Sequence, residues 1–570
     1  MSLRPMANLF AVADPAPGSL DRIERALYET REFACIWRPA PGWLAASAPL
    51  PEGDPDDDVT RGRGFAFAEG RDRLEEGSDP RWLDRVARIA DAGSRDLAQL
   101  PGDFGFVRFR PDGGAVVVRS CAGNAPFYVY RRGDGWALAT LLNYLARFLP
   151  DRFEPDPLVN VSFSWVNAFV DDRTFLKGVS ILPRATRTEL RPGHPPATGV
   201  YWDPQPPAGQ PPKPDPEHAR RLRDVLVAAL ERDLDPGGRN LVTLSGGVDS
   251  SSVAALAAGV VGRGLSSLSM IPGFEPERSH ELSYIEPLVA RFGIAPSHVC
   301  EWTLPTRMRW AETFPGLPFQ VVNPALCELP RISSQQEVRV LVGAEFADEV
   351  CGELGRIDDW ALHTSLLELV RPGGRPLGAR DFLRWGKRRL LHAVGRPALP
   401  FPADLVEGVD PAIAAEYRDW LRRLRARVAR ERRPLAELAG RAARDAWVAM
   451  NWEGTTPLGV RRSSPFFTRE VLELAFSCHP RELLGPGTKR LLRDALRGDV
   501  PERNLCRADK GVGGPRLRGA TVELDPGVVA STDGLIRPAW RSSPPRRVPY
   551  ATAEVLTRAA RVVRYLRVEQ

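Results

Sequence analysis

Seven prolines fall between Pro204 and Pro216, in DPQPPAGQPPKPDP counted from Asp203. Locked φ angles and missing N–H donors at that density permit neither a helix nor an inner strand, so residues 204–216 read as a semi-rigid linker. The two sides of it carry different periods. Before it, Gly102 to Phe109 (GDFGFVRF) alternates apolar and polar side chains. Ala115–Val118 and Phe127–Tyr130 are short β-prone runs, set apart by Pro111-Asp112-Gly113-Gly114 and Gly123-Asn124, so this side is expected to be β-rich. After it, Leu222, Val225, Leu226, Ala229, Leu230 and Leu234 share one helical face, and Pro236-Gly237-Gly238 stops that helix. Asn240–Leu244, Ser266–Ile271 and Val338–Val342 then read as strands, with a small-residue helix from about Ser251 and another over Tyr284–Phe292. Strands alternating with helices predict a doubly wound parallel sheet. From about Trp360 the chain reads as mainly helical. The expected fold class is α/β, divided as 1–203, the linker 204–216, and 217–570.

Composition narrows the class further. With 570 residues, 43% hydrophobic and 26% charged, the chain is too apolar to be disordered throughout and long enough for several domains. No apolar run approaches the ~18 residues of a membrane span. The N-terminal MSLRPMANLFAVADP does not read as a signal peptide, and a cytoplasmic location is expected. The seven cysteines form no CxxC pair, which suggests neither a zinc site nor a disulfide framework. The net charge of +6 comes from 78 cations of which only Lys177, Lys213, Lys387, Lys489 and Lys510 are lysines. Arginines interspersed with Asp and Glu give no indication of nucleic-acid binding.

Chemistry is concentrated in Leu244-Ser245-Gly246-Gly247-Val248-Asp249-Ser250-Ser251, between an expected strand and an expected helix. Two glycines permit a tight turn whose N–H groups converge on phosphate oxygens, serines add hydroxyl donors, and a helix N-terminus adds its dipole. Asp249 is anomalous in an anion-binding loop unless a cation offsets it, as Mg2+ shared with phosphates would. No GxxxxGK[ST] follows the strand, so this is not a Walker loop.

This loop resembles the pyrophosphate loop of the ATP-pyrophosphatase enzymes, specifically the asparagine synthetase group, and the resemblance extends over most of the chain. It implies a glutaminase-like (Ntn-type) sandwich in the first part and an ATP-pyrophosphatase domain with added helices in the second. It also implies activation of a carboxylate by ATP as an acyl-adenylate, with an amine then displacing AMP. Leu244, Ser245, Gly246, Gly247, Asp249, Ser250, Ser251 and Met270 would contact the nucleotide. Gly343-Ala344-Glu345-Phe346-Ala347-Asp348-Glu349 is similar to the family's second acidic motif, with Phe346 and Ala347 replacing a small Gly-Ser pair. By that likeness Asp348 joins Asp249 on Mg2+, and Glu345 sits near the reacting amine, where a buried carboxylate can accept its proton. Lys510, in Arg507-Ala508-Asp509-Lys510-Gly511-Val512-Gly513-Gly514, would stabilise the developing charge. Gly459–Phe467 and Gly487–Arg493 resemble further family segments and are expected to be pocket wall and scaffold.

Residues 102–106, 119–128 and 137–140 resemble the glutaminase domain of asparagine synthetase, but Ser2 stands where that domain needs a cysteine. An inactive glutaminase is therefore expected, with the amine supplied by the substrate. Two branches of the family work this way: β-lactam synthetases and lasso-peptide macrolactam synthetases, which join a peptide's N-terminal amine to an Asp or Glu side chain. Two arginine concentrations, over 371–389 and 418–433, favour the peptide branch. The resemblance then implies a linear core peptide as substrate, with a leader-recognition protein and a leader peptidase as partners. A small-molecule amide synthetase, a glutamine-independent asparagine synthetase-like enzyme and a non-catalytic scaffold stay open.

Overall fold

In the computed structural model of the chain, the described residues are 8–13, 19–30, 32–33, 35–40, 42–47, 64–69, 97–98, 103–110, 112–123, 125–203, 215–262, 264–302, 324–351, 379–394, 399, 401–431, 435–478, 482, 489–507, 521–532 and 534–569. Among them, eleven strands precede position 203: β1 (Leu9–Ala13), β2 (Cys35–Trp37), β3 (Trp43–Ser47), β4 (Gly64–Glu69), β5 (Asp103–Phe109), β6 (Ala115–Arg119), β7 (Tyr128–Arg132), β8 (Gly135–Ala139), β9 (Val179–Ile181), β10 (Thr186–Leu190) and β11 (Ala197–Val200). They form two antiparallel sheets, ordered β2-β3-β1-β8-β7-β9 and β11-β10-β6-β5-β4. The strand period of two explains how the sheets pack. Val107, Phe109, Ala115 and Val117 face the first sheet, sharing a core with Phe10, Trp43 and Leu138. Phe104, Phe106, Val116 and Val118 point the other way, under Leu97 and Tyr201. Among the described residues, helices α1 (Ser19–Thr30), α2 (Leu142–Phe148) and α3 (Pro157–Val166) also belong to this part.

The second part begins with α4 (Glu217–Asp233), which buries Leu222, Leu226, Ala229 and Leu230, the face expected from their spacing. There follow β12 (Asn240–Thr243), α5 (Val248–Val261), β13 (Leu265–Pro272), α6 (Glu277–Phe292), β14 (Ser297–Trp302), α7 (Pro324–Gln335), β15 (Val340–Val342) and α8 (Ala347–Cys351). Helices α9 (Ala379–Ala393), α10 (Pro411–Glu431) and α11 (Leu435–Thr455) lead to β16 (Arg461–Ser463), a strand the helical reading of this region did not anticipate. Helices α12 (Arg469–Ser477), α13 (Arg490–Ala495) and α14 (Glu502–Leu505) come next. The hairpin strands β17 (Thr521–Glu523) and β18 (Arg547–Pro549) enclose α15 (Pro526–Ser531) and α16 (Pro538–Ser542), and α17 (Tyr550–Glu569) ends the described chain.

The central sheet runs β14-β13-β12-β15-β16, every neighbouring pair parallel. The chain builds outward from β12 to β14 and then returns to lay β15 on the opposite side of β12. That reversal makes the β12/β15 boundary the topological switch, where open α/β sheets hold their ligands at the strands' carboxyl ends. β12 and β15 are apolar on both faces because helices cover both, and α5 sits close because Val253, Ala254, Ala255 and Ala257 are small and buried. The two parts of the chain are packed together. Trp452 Nε1 donates to Asn8 Oδ1 at 3.0 Å, and Arg119 pairs with Asp445 at 3.3 Å. No helix among the described residues is long and apolar enough to cross a membrane.

Candidate active site

Four residues, Leu244 to Gly247, turn the chain from β12 into α5. Leu244 continues the strand: its side chain is in the core and its N–H donates to Leu268 O at 2.9 Å, so it shapes the loop from behind. Gly246 has φ +70°, and a Cβ there would lie 2.6 Å from Tyr284 Cβ, so conformation and space both demand glycine. Gly247 caps α5 with no side-chain cap bond, leaving the leading N–H groups of the helix available to an anion. Ser250 Oγ accepts from Ser245 N–H at 3.0 Å and donates to Gly247 O at 3.3 Å, and Ser245 Oγ lies 3.0 Å from Ser250 Oγ. Ser245 is exposed on this self-closed loop, whereas Ser251 is fully buried and faces the packing.

Buried groups that the sequence reading left without a role brace the loop. Asn504 Nδ2 donates to Gly246 O at 3.0 Å and to Tyr284 O at 3.1 Å. Arg507 Nη1 reaches Ser245 O at 3.1 Å, and its Nη2 pairs with Glu281 at 2.7 Å. The guanidinium groups of Arg507 and Arg503 lie 4.2 and 4.4 Å from the Tyr284 ring centroid. Arg507 had been read only as the start of the Lys510 loop. An arginine next to a glycine-rich stretch was the only signal available in the sequence.

Asp249, in the first turn of α5, and Asp348, in the first turn of α8, come together across the switch crevice. Both carboxylates contact Lys489 Nζ. Lys489, expected above to belong to scaffold, is the cation that lies between the two aspartates. Its side chain is 1% exposed against 23% and 32% for the two aspartates. It caps α13 in a left-handed conformation, φ +62°. Burial alone would lower its pKa, but the Asp249 and Asp348 charges outweigh burial and raise it above the ordinary 10.5. Lys489 is therefore a fixed cation at physiological pH. Lys510, expected in that role, lies outside the described residues.

Glu345 Oε1 accepts from Arg462 Nη2, a guanidinium only 4% exposed. Glu345 Oε2 and the Nε and Nη1 of Arg462 are buried without hydrogen-bond partners among the described residues. Both side chains crowd Gly343, where no Cβ would fit. Phe346 occupies the position of the family's glycine and keeps the left-handed backbone at φ +70°. It is buried and stacks on Phe467 at 4.1 Å, with Arg184 5.1 Å from the Phe467 centroid. Met270 is half-buried near the end of β13, in register with Cys300. Arg418 and Arg423 of α10, from the second arginine concentration, pair with Asp404 at 3.1 Å and Asp171 at 3.8 Å, and Arg422 pairs with Asp419. They are exposed surface ion pairs.

Of the first part's glutaminase-like segments, Arg119 is fully buried and donates to Gly123 O at 2.5 Å and Ala125 O at 2.8 Å. Next to Tyr128, burial pushes the Glu453 carboxyl up to about 8 although Leu142 N–H donates to it. Ser2 lies outside the described residues.

No curated protein matches the chain significantly. Among solved structures, glutamine phosphoribosylpyrophosphate amidotransferase from B. subtilis, complexed with ADP and GMP, is 10% identical, covering 51% of this chain and 80% of its own at a TM-score of 0.22. NMN synthetase from Francisella tularensis is 16% identical, covering 31% and 71% at 0.17. A family model described as asparagine synthase matches residues 221–516, just over half of the chain. That match runs from within α4 past α14 and takes in every element around the switch crevice, so the chain belongs to the asparagine synthase family.

Proposed function

We propose that this enzyme closes an isopeptide macrolactam in lasso-peptide biosynthesis, joining a peptide's N-terminal amine to an Asp or Glu side chain. Family membership makes it an ATP-dependent ligase forming a carbon–nitrogen bond; the proposal concerns which bond. The convergence of Asp249 and Asp348 on Lys489 beside the Ser245–Ser251 loop, with Glu345 and Arg462 alongside, supports the ATP chemistry, and Ser2 in place of the glutaminase cysteine supports an amine supplied by the substrate.

The peptide carboxylate attacks the α-phosphorus of ATP, and pyrophosphate leaves into the loop, held by N–H groups at the start of α5. The N-terminal amine then attacks the acyl carbon and AMP departs. Glu345 Oε2, buried without a partner among the described residues, takes the proton that the amine loses. Lys489 offsets the charge gathering on phosphate and acyl oxygens. Arg462, with two buried donors unspent, anchors a carboxylate or phosphate oxygen. Asp249 and Asp348 already converge on a single cation, Lys489 Nζ, so their hard oxygens fit Mg2+ shared with phosphates, which would supply charge neutralisation there. Binding both ends of one peptide makes amide formation intramolecular, worth up to ~7–11 kcal/mol when the ends are aligned.

The test is to incubate the protein with ATP, Mg2+ and linear peptides bearing Asp or Glu at candidate ring positions. The expected result is equimolar AMP and pyrophosphate with a product lighter by one water. Turnover of small amino-acid derivatives but not of peptides would replace the proposal with a β-lactam-type synthetase. ATP binding without release of either product would make the chain a scaffold.

A further inference from the structure

Away from the crevice, His218, Cys478 and Glu482 bring three metal-ligating side chains together from distant stretches of sequence. His218 lies in the first turn of α4, Cys478 caps the end of α12, and Glu482 follows four positions later. One donor atom from each lies within 4.8 Å of the other two. His218 is 6% and Cys478 3% exposed. His218 Nδ1 is 3.0 and 3.1 Å from the two Glu482 oxygens, and on the opposite ring edge Nε2 is 3.9 Å from Asp215 Oδ2. Asp215 N–H also donates to Glu482 Oε1 at 3.1 Å.

We propose that His218, Cys478 and Glu482 form a zinc site, with Asp215 holding the histidine ring from behind. Bond lengths of ~2.0–2.3 Å place tetrahedral ligand atoms ~3.3–3.7 Å apart, so donors within 4.8 Å of one another close on an ion through side-chain shifts of about an ångström. The donor set selects the metal. A thiolate excludes Mg2+ and Ca2+, and mixed sulfur, imidazole and carboxylate donors suit Zn2+, with water completing the tetrahedron. A thiolate and a carboxylate also cancel the ion's two charges, so no net charge is buried. Zinc on Nδ1 leaves the Nε2–H pointing at Asp215, the carboxylate arrangement that commonly orients metal-bound histidines. Binding displaces the thiol proton, so apparent affinity falls as pH drops.

The site would work as an anchor. It ties Asp215 and His218, at the exit of the proline-rich stretch, to the chain seven positions before Lys489. A fixed point there would hold the start of α4 against the end of α12.

Elemental analysis of untagged protein exposed to Zn2+ and then desalted should find about one zinc per chain in the wild type and less than about a tenth in His218→Ala and Cys478→Ser. Replacing zinc by Co2+ should give a thiolate-to-cobalt charge-transfer band that Cys478→Ser lacks, which also separates this site from metal held by Asp249 and Asp348. Circular dichroism establishes that the variants are folded. A wild type that retains no zinc overturns the proposal, as does a cobalt spectrum without the thiolate band. The readout is metal content and absorption, so it stands apart from any peptide turnover.

Discussion

Replacing Lys489 with Met removes the charge between Asp249 and Asp348 while keeping most of the aliphatic stem. At an effective dielectric of ~20, an ammonium ~4 Å from a carboxylate gains about 4 kcal/mol, so two partners give about 8 kcal/mol before desolvation. Desolvating an ammonium whose side chain is 1% exposed returns several kcal/mol of that. Breaking a buried pair typically costs about 3–5 kcal/mol, and the partial exposure of the aspartates lets water recover some, so a loss of about 2–3 kcal/mol is expected. The two carboxylates then face each other without their cation. Mg2+ alone, at ~10 times its dissociation constant, should restore about 1.4 kcal/mol. Thermal melts without ATP should therefore show a Lys489→Met protein several degrees less stable than wild type and rescued by Mg2+ but not by Na+ at equal ionic strength. The wild type, with Lys489 in place, should respond little. Turnover of the variant should fall ~10²–10³-fold, the cost of removing one stabiliser of transition-state charge. A variant as stable as wild type and indifferent to Mg2+ would refute the convergence of the aspartates on this lysine.

Phe346 should invert the usual order of small residues. Both Phe346→Ala and Phe346→Gly lose the stack on Phe467, at a typical cost of about 3–5 kcal/mol, but only glycine relieves the left-handed backbone, so Ala should be the less stable by about 1 kcal/mol in denaturant melts. Glu453→Gln should change the pH dependence of stability. The Glu453 carboxyl, raised by burial to about 8, faces Tyr128 and the Leu142 N–H, and its native state keeps a proton that the unfolded chain has lost above about 4.5. Wild-type stability therefore falls as pH rises through that window. Between about pH 5.5 and 8 the non-titrating variant should gain on it by about 3 kcal/mol, at ~1.4 kcal/mol per unit. Parallel pH curves for the two proteins would place the Glu453 proton elsewhere.

Local pattern made much of the fold legible. The alternating run at 102–109 became β5, the short β-prone runs at 115–118 and 127–130 became β6 and β7, and the leucine face at 222–234 became α4. The run Asn240–Leu244 before two glycines gave strand, turn and helix because each step is enforced within a few residues. β16 was missed because Arg461–Ser463 has no apolar alternation; it is a strand only because β15 offers an unpaired edge. The arginine concentration at 418–433 favoured the peptide branch in the sequence, and in the structure Arg418 and Arg423 pair with Asp404 and Asp171 at the surface.

At the site, sequence alone determined the strand, glycine turn and helix that carry Asp249 in the first helical turn, since chain geometry there is local. Tertiary structure decided which lysine lies between Asp249 and Asp348. Lys489 sits 240 positions from Asp249, and its burial at the start of α13 follows from how the helices pack over the sheet. The same holds for His218, Cys478 and Glu482. No CxxC spacing announces them, because their donors meet only where the start of α4 packs against the end of α12.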